Sequence, residues 1–266
     1  AAAYVLRCFE DDDVTHVENR IDPVSDADTV ETELMLSDLE SLEKRRLPLE
    51  KKAKSGEKEA KALVTLMDKV LVLLREGKPA RLTEVTPEEE AAFRGLQLLT
   101  AKPVLYVCNV EESSAATGNA YSAKVFERAK AEGAGCVVIS AKIEAEVASL
   151  EPTERAAYLE ELGLAEPGLN RLIHEGYRLL GLVTFFTVGP KEARAWTVTR
   201  GTKAPQAAGV IHTDFEKGFI RSETIAYDDY VRLNGEAGAR DAGKMRLEGK
   251  EYVVADGDVL HFRFAN

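Results

Sequence analysis

Two short polar stretches hold the residues best suited to chemistry. Asn109-Val110-Glu111-Glu112 and Ser140-Ala141-Lys142 begin 31 residues apart. Each stands directly behind an apolar run of strand length, residues 104–108 and 136–139. In an open parallel sheet, ligands bind beyond the carboxyl ends of the strands. An Asn amide in that place donates and accepts at once, which suits the N6/N7 edge of adenine or the N7/O6 edge of a purine more generally. Ser140 and Ala141 would bring a backbone N–H close to such a base. The bland alternative is a pair of loop termini that happen to carry Asn and Ser. His16 follows the acidic run Glu10-Asp11-Asp12-Asp13, whose carboxylates favour an imidazolium. Read from its neighbours alone, His16 is a surface residue. His174, His212 and His261 lack metal-ligand spacing and read as structural.

The order and spacing of the two stretches resemble the base-reading half of a P-loop GTPase. There Asn-Lys-x-Asp and Ser-Ala-Lys occupy these positions. Here Val110 stands for the Lys and Glu112 for the Asp. That Asp accepts hydrogen bonds from guanine, and Glu112 is one methylene longer. A site built to hydrogen-bond a group discriminates strongly once the partner is lost. Guanine selectivity is therefore expected to be weak, with adenine accepted. No G-x-x-x-x-G-K-[ST] occurs in the chain, so nothing here is expected to hold the β- and γ-phosphates or Mg2+. The opening Ala1-Ala2-Ala3, with no Met, suggests a missing N-terminal part.

The elements that position these residues follow from hydrophobic periodicity. Continuous apolar runs at 104–108 and 136–139 suit strands buried on both faces. Helices are expected at 121–131 and 169–180, which makes this an α/β arrangement. Residues 29–49 and 57–76 carry apolar stripes, Met35, Leu39, Leu42 and Leu49, then Leu63, Met67, Val70 and Leu74. Ser55-Gly56 lies between them, so the pair reads as an antiparallel coiled-coil-like hairpin. Thr86-Pro87-Glu88-Glu89 is a capping box expected to start a helix through Leu99. After Gly181, short β-rich runs at 184–188, 196–199, 252–254 and 260–264 point to a separate α+β domain.

Composition narrows the class. In 266 residues the hydrophobic fraction is 45% and the charged fraction 30%, as in ordinary globular proteins. There is no apolar run long enough to span a bilayer and no secretory signal pattern. Cys8, Cys108 and Cys136 are widely spaced without CxxC, which argues against a disulfide framework or a zinc site and fits a reducing cytoplasm. The net charge of −11 is uneven, because residues 44–61 hold eight bases and only three acids. That basic segment, with Lys51, Lys52 and Lys54, sits toward the expected hairpin tip. Basic clusters attract phosphate backbones. The competing reading is a solvated helix face with i,i+4 pairs.

Several segments together resemble the YchF family of Obg-like ATPases. They are Arg7-Cys8-Phe9-Glu10-Asp11 with Val14-Thr15-His16-Val17, the Asn109–Glu112 loop, Glu166-Pro167-Gly168-Leu169-Asn170, the stretch 209–221, and Asp256-Gly257-Asp258-Val259. The resemblance covers essentially the whole chain. It implies a partial P-loop NTPase sheet, residues 1–24 and 93–182, interrupted by an antiparallel coiled-coil helical arm, 25–92. An α+β TGS domain of β-grasp type, 183–266, would follow. It implies a ribosome-associated hydrolase that prefers ATP to GTP and works with Mg2+ held by N-terminal residues absent here. It assigns a catalytic part to His16, in place of the usual Gln, and a base pocket to Asn109, Val110, Glu112, Ser140 and Ala141. Ribosomal RNA contact through the arm and the TGS domain is implied as well. Two alternatives stay open: a non-catalytic fragment that only docks on ribosome or RNA, and an Obg-type GTPase, against which Val110 and Glu112 argue.

Overall fold

The computed structural model describes residues 1–11 and 20–265. It divides into two units, Ala1–Leu179 and Leu180–Asn266. The first is built on strands β1 (Ala2–Arg7), β2 (Val104–Asn109) and β3 (Gly135–Ile139), paired in that order and all parallel. The apolar run of β2 is buried from Val104 to Cys108, as a central parallel strand must be. Helices cover both of its faces. Tyr106 and Cys108 pack with Tyr4, Ala27, Val125 and Ala129 on one side. Leu105 and Val107 pack with Val137, Leu172 and Leu179 on the other.

Between β1 and β2 the chain makes a helical hairpin, α1 (Pro23–Lys54) and α2 (Lys58–Arg75). Gly56, at φ 95°, sits in the turn, a conformation open to glycine at little cost. Ion pairs Glu43–Arg75 at 2.8 Å and Arg46–Asp68 at 2.6 Å cross between the helices, which therefore run antiparallel. Their shared core, Leu42, Leu66, Met67, Val70 and Leu74, is closed by Ala80, Leu96 and Leu98 from the returning chain. α1 starts six residues before the expected position 29. Asp22 caps it, accepting from the Ser25 N–H at 3.2 Å, with Pro23 at the first position. Its first turns pack on the sheet, where Ala27 is fully buried. The apolar stripe is broken there by the buried Glu31, which hides those turns from a periodicity argument. Thr86 and Glu89 do form the expected reciprocal cap. The helix that follows, α3 (Glu90–Gly95), stops four residues short of Leu99, and Gln97 turns the chain at φ 54°.

Two further contacts lock the hairpin to the returning chain. Asp38, only 3% exposed, accepts from the Leu99 N–H (2.8 Å), the Thr100 N–H (2.8 Å) and the Thr100 hydroxyl (2.7 Å). Thr100 Oγ1 in turn accepts from the Ala80 N–H at 3.0 Å. After β2 come α4 (Ala120–Glu132), β3, α5 (Ala141–Ser149), α6 (Pro152–Glu161) and α7 (Gly168–Leu179).

The second unit is a mixed five-stranded sheet in the order β5-β4-β8-β6-β7. Its elements are β4 (Leu182–Val188), β5 (Ala193–Thr199), α8 (Ala204–Ile211), α9 (Thr213–Lys217), β6 (Phe219–Ala226), α10 (Tyr227–Arg232), α11 (Glu236–Asp241), β7 (Arg246–Glu248) and β8 (Asp258–Phe264). Only β4 and β8 pair in parallel. Alanines of α8 cover Val183, Phe185, Leu260 and Phe262. The strand expected at 252–254 is reduced to a single bridge, Lys203 to Val253. Among the described residues no helix is long and apolar enough to cross a membrane.

Asp38→Ala strips the acceptor from two backbone N–H groups and one hydroxyl in a buried place. The first unit is expected to lose about 3 kcal/mol. Calorimetry should show its transition falling while that of the second unit stays in place. Asp38→Asn should lie between.

Candidate nucleotide-base site

The three parallel strands end together, since Arg7 pairs with Asn109 and Asn109 with Ile139. The loops leaving β1, β2 and β3 therefore emerge along one edge of the sheet, where open α/β sheets bind ligands. The ladder runs one step further. The Cys8 N–H donates to the Asn109 carbonyl at 2.8 Å, and the Val110 N–H to the Ile139 carbonyl at 2.9 Å.

Asn109 and Ala141 are brought into direct contact. Asn109 Oδ1 accepts from the Ala141 N–H at 2.9 Å. The N–H expected to approach a base is thus already used, and it ties the β2 loop to the start of α5. Asn109 Nδ2 has no hydrogen-bond partner among the described residues, so a donor remains at this edge. Glu112 opens a short 3-10 turn through Ser114. Its carboxylate accepts from Lys142 Nζ at 2.7 Å, and that contact holds the Lys142 ammonium above its usual pKa. Ser140 is buried at the N-cap position of α5. Val110 differs from its expected setting: its side chain is 3% exposed and packs in the core with Cys108 and Val125. A lysine there would place an ammonium among apolar groups. His16 lies outside the described residues.

At this edge Asn119 escaped the sequence reading, which named Glu111 and Lys142 only as members of their motifs. Glu111 accepts from Ser114 Oγ and from Asn119 Nδ2, the latter at 3.0 Å. Partial burial raises its pKa, but the hydrogen bonds from Ser114, from its own backbone N–H and from Asn119 outweigh that and hold the carboxyl below its usual value. Asn119 caps α4. The signal was present in the chain as Asn119 followed three residues later by Ser122, the pattern of a reciprocal cap. Lys142 was read as part of a motif without a partner.

The remaining segments singled out in the sequence have structural duties. The Gly168 and Leu169 N–H groups donate to the Glu144 carboxylate at 2.6 and 3.1 Å, joining α5 to the first turn of α7. A Cβ on Gly168 would lie 2.8 Å from Glu144 Oε1 and 2.9 Å from the Ile139 side chain. In the second unit His212 Nδ1 accepts from the Asp214 N–H at 3.2 Å, and Phe215 stacks on Phe264 at 4.0 Å. Asp258 accepts from the Tyr252 hydroxyl at 2.7 Å and the Ala255 N–H at 2.9 Å.

Comparison with known proteins accords with this architecture. The family model YchF-GTPase_C, described as a protein of unknown function (DUF933), matches residues 182–265. The protein named ribosome-binding ATPase YchF from Haemophilus ducreyi is 52% identical over 264 residues, covering 99% of this chain and 72% of that protein. Its namesake from Bacillus subtilis is 50% identical over 266 residues, covering 99% and 73%. The chain belongs to the YchF family. The structure of the Schizosaccharomyces pombe YchF GTPase superposes with a TM-score of 0.83 at 34% identity, covering 98% of this chain and 71% of that one. The parallel sheet of the first unit and the mixed sheet of the second are thus the α/β architecture of a YchF structure.

Gly168→Ala tests the close approach behind this site. Ile139 and Glu144 must both give way, and the expected cost to the first unit is about 1–3 kcal/mol, read from the urea midpoint of that unit.

Proposed function

We propose that the chain is the base-reading and ribosome-contacting portion of an Obg-like ATPase. The observation that carries this reading is the Asn109–Ala141 hydrogen bond, which joins the two sequence-predicted loops at the ligand-binding edge of a parallel sheet. The names of relatives with half identity, ribosome-binding ATPases, support the same activity and partner. In this reading, residues 1–24 and 93–182 are the nucleotide domain, 25–92 a coiled-coil arm, and 183–266 a TGS domain of β-grasp type. A ribosomal partner implies work in the cytoplasm.

Purine selection follows from the polar groups. Asn109 Nδ2 donates to N7, which adenine and guanine share. Guanine needs a carboxylate for its N1 and N2 hydrogens, and Lys142 competes for Glu112. Ser140 and Ala141 line the base, while Val110 acts from the core by holding the loop. ATP is then bound at least as well as GTP. His16 is the proposed catalytic group, placing water or meeting charge in the transition state. Mg2+ would neutralise phosphate charge, but no group of three metal-ligating side chains is placed for it among the described residues. Without a phosphate loop, residues 1–266 taken alone are expected to be inactive. The second reading, a docking module only, draws on that same missing motif.

Lys142→Ala combined with Glu112→Asp frees the acid and shortens it. In the full-length protein the ATP-to-GTP affinity ratio is expected to fall by about tenfold, or about 1.4 kcal/mol. A tenfold GTP preference in the unmodified protein would refute the adenine pocket.

Ribosome contact is assigned to the hairpin tip and the TGS domain. Arg46 and Lys54 are paired with Glu50, and Lys44 with Glu40. Among the described residues no acid pairs with Lys51, Lys52, Lys58 or Lys61, and all four are exposed. Exposed pairs of this kind add only ~0–1 kcal/mol to folding, so the cluster suits a polyanion. Reversing Lys51, Lys52 and Lys54 to Glu should spare the melting temperature and ATPase rate yet reduce co-sedimentation with ribosomes. The wild-type interaction should weaken steeply with salt through counterion release.

A further inference from the structure

Asn119 uses both ends of its amide. Oδ1 accepts from the N–H groups of Tyr121 (3.1 Å) and Ser122 (3.0 Å), capping α4. Nδ2 donates to the Cys8 carbonyl at 2.6 Å and to Glu111 Oε2 at 3.0 Å. Cys8 is the first residue past β1, and Glu111 lies between Asn109 and Glu112. One planar group therefore joins a helix start to the two loops that flank the candidate pocket.

We propose that Asn119 is a positioning residue of the nucleotide site, setting the separation between the exit of β1 and the 109–112 loop. The proposal rests on the pocket reading above and adds to it the part that holds the pocket in shape. The physical case begins where the sheet ladder stops. In a parallel ladder the Cys8 carbonyl would next accept from a backbone N–H of the neighbouring strand. Here a side-chain amide takes that acceptor, and the strands are free to diverge into loops. The amide is itself held rigidly, because α4 is anchored in the core by Val125 and Ala129. A second bond runs the same way: the Tyr121 hydroxyl, in the first turn of α4, donates to Glu10 at 2.6 Å. Glu111 is gripped on its other oxygen by Ser114. A loop fixed by packed elements through such supporting bonds keeps its polar groups in register for a ligand.

The chemistry of Asn is specific to this double duty. Ser also caps helices well but carries no amide to reach Cys8 and Glu111. Asp keeps the cap and turns a carboxylate toward a carbonyl and another carboxylate. Ser122→Ala does the reverse, weakening the reciprocal cap, in which the Asn119 N–H donates to Ser122 Oγ at 2.8 Å, and leaving the Nδ2 bonds in place.

The test uses the full-length protein, with hydrogen exchange read over residues 8–11, 109–114 and 120–125 and with ATP affinity measured alongside. Asn119→Ser should speed exchange in the first two segments by about tenfold and leave the third protected. It should weaken ATP binding by about fivefold or more. Ser122→Ala should speed exchange only in the third segment and keep ATP affinity within about twofold. Asn119→Asp should weaken ATP further, and adding Glu111→Gln, which restores a donor between the two side chains, should recover part of the loss. The proposal is overturned by unchanged exchange in both loops, by an equal effect of Ser122→Ala, or by loosened loops with unaltered ATP affinity. If the unmodified protein binds no ATP, the pocket reading fails first. That outcome is seen before any variant is compared, and the exchange data still report whether the brace itself exists.

Discussion

Glu31, Arg81 and Arg128 meet at the root of the hairpin with side chains only 8%, 17% and 13% exposed. Glu31 stands 2.6 Å from Arg81 and 3.3 Å from Arg128, and Arg128 also reaches Glu132 at 2.9 Å. Each residue belongs to a different piece of chain: the first turns of α1, the segment returning after α2, and α4. Taking such charges from water is costly, and their mutual attraction offsets the cost only with good geometry and added hydrogen bonds. Here Tyr106 adds two such bonds, accepting from Arg128 Nε at 3.0 Å and donating to Glu132 at 2.7 Å, while Glu31 Oε1 and Arg81 Nη1 have no hydrogen-bond partner among the described residues. Burial, then the bond to Glu132, pushes the phenol pKa upward. The cluster ties the first turns of α1 to the returning chain and to α4 at the point where α1 leaves the sheet.

From that root the first unit assembles in two directions. Outward, Asp38 binds the returning chain and the hairpin closes its own apolar core. Inward, α4 is fixed against Tyr106 and Ala27, and its first turn presents Asn119 to the two loops. The site at the strand ends is thus supported by the same helix that anchors the hairpin. Chemistry and architecture share α4 without sharing residues, because Arg128 and Glu132 lie about two and a half and three and a half turns beyond the cap.

The elements most legible in the sequence were those whose pattern has one physical solution. The apolar run that became β2 is a central strand as expected, whereas that of β3, though a strand, lies at the sheet edge with only Gly135 and Val137 buried. The stripe of Leu63, Met67, Val70 and Leu74 became a packed helix face. Asn109 and Ser140-Ala141 were legible as a pair because each stands directly behind such a strand. Harder to read were places where tertiary contacts override local pattern. β6 buries Ser222, Glu223 and Thr224, so its polar run does not read as a strand. Residues 252–254 have strand-like side chains, yet the chain there is spent on reaching Asp258 and bridging Lys203. The start of α1 was hidden by Glu31, whose burial makes sense only beside Arg81 and Arg128. In the site, Val110 was taken for a pocket residue from its place in a motif. Its burial depends on α4, which no motif encodes.

The pairing of β1 with β2 has a temporal side. Ninety-six residues separate the two strands, and all of them must be made before β1 meets this neighbour. At about 5–20 residues per second, chain synthesis leaves that strand edge waiting for about 5–20 s. The hairpin is the part that folds meanwhile, since its contacts are local and helix pairs of this kind form within microseconds to milliseconds. Once formed, it draws the ends of a long loop together and lowers the entropy lost on closing the sheet. A formed hairpin is in this sense a splint for the pairing of β1 with β2.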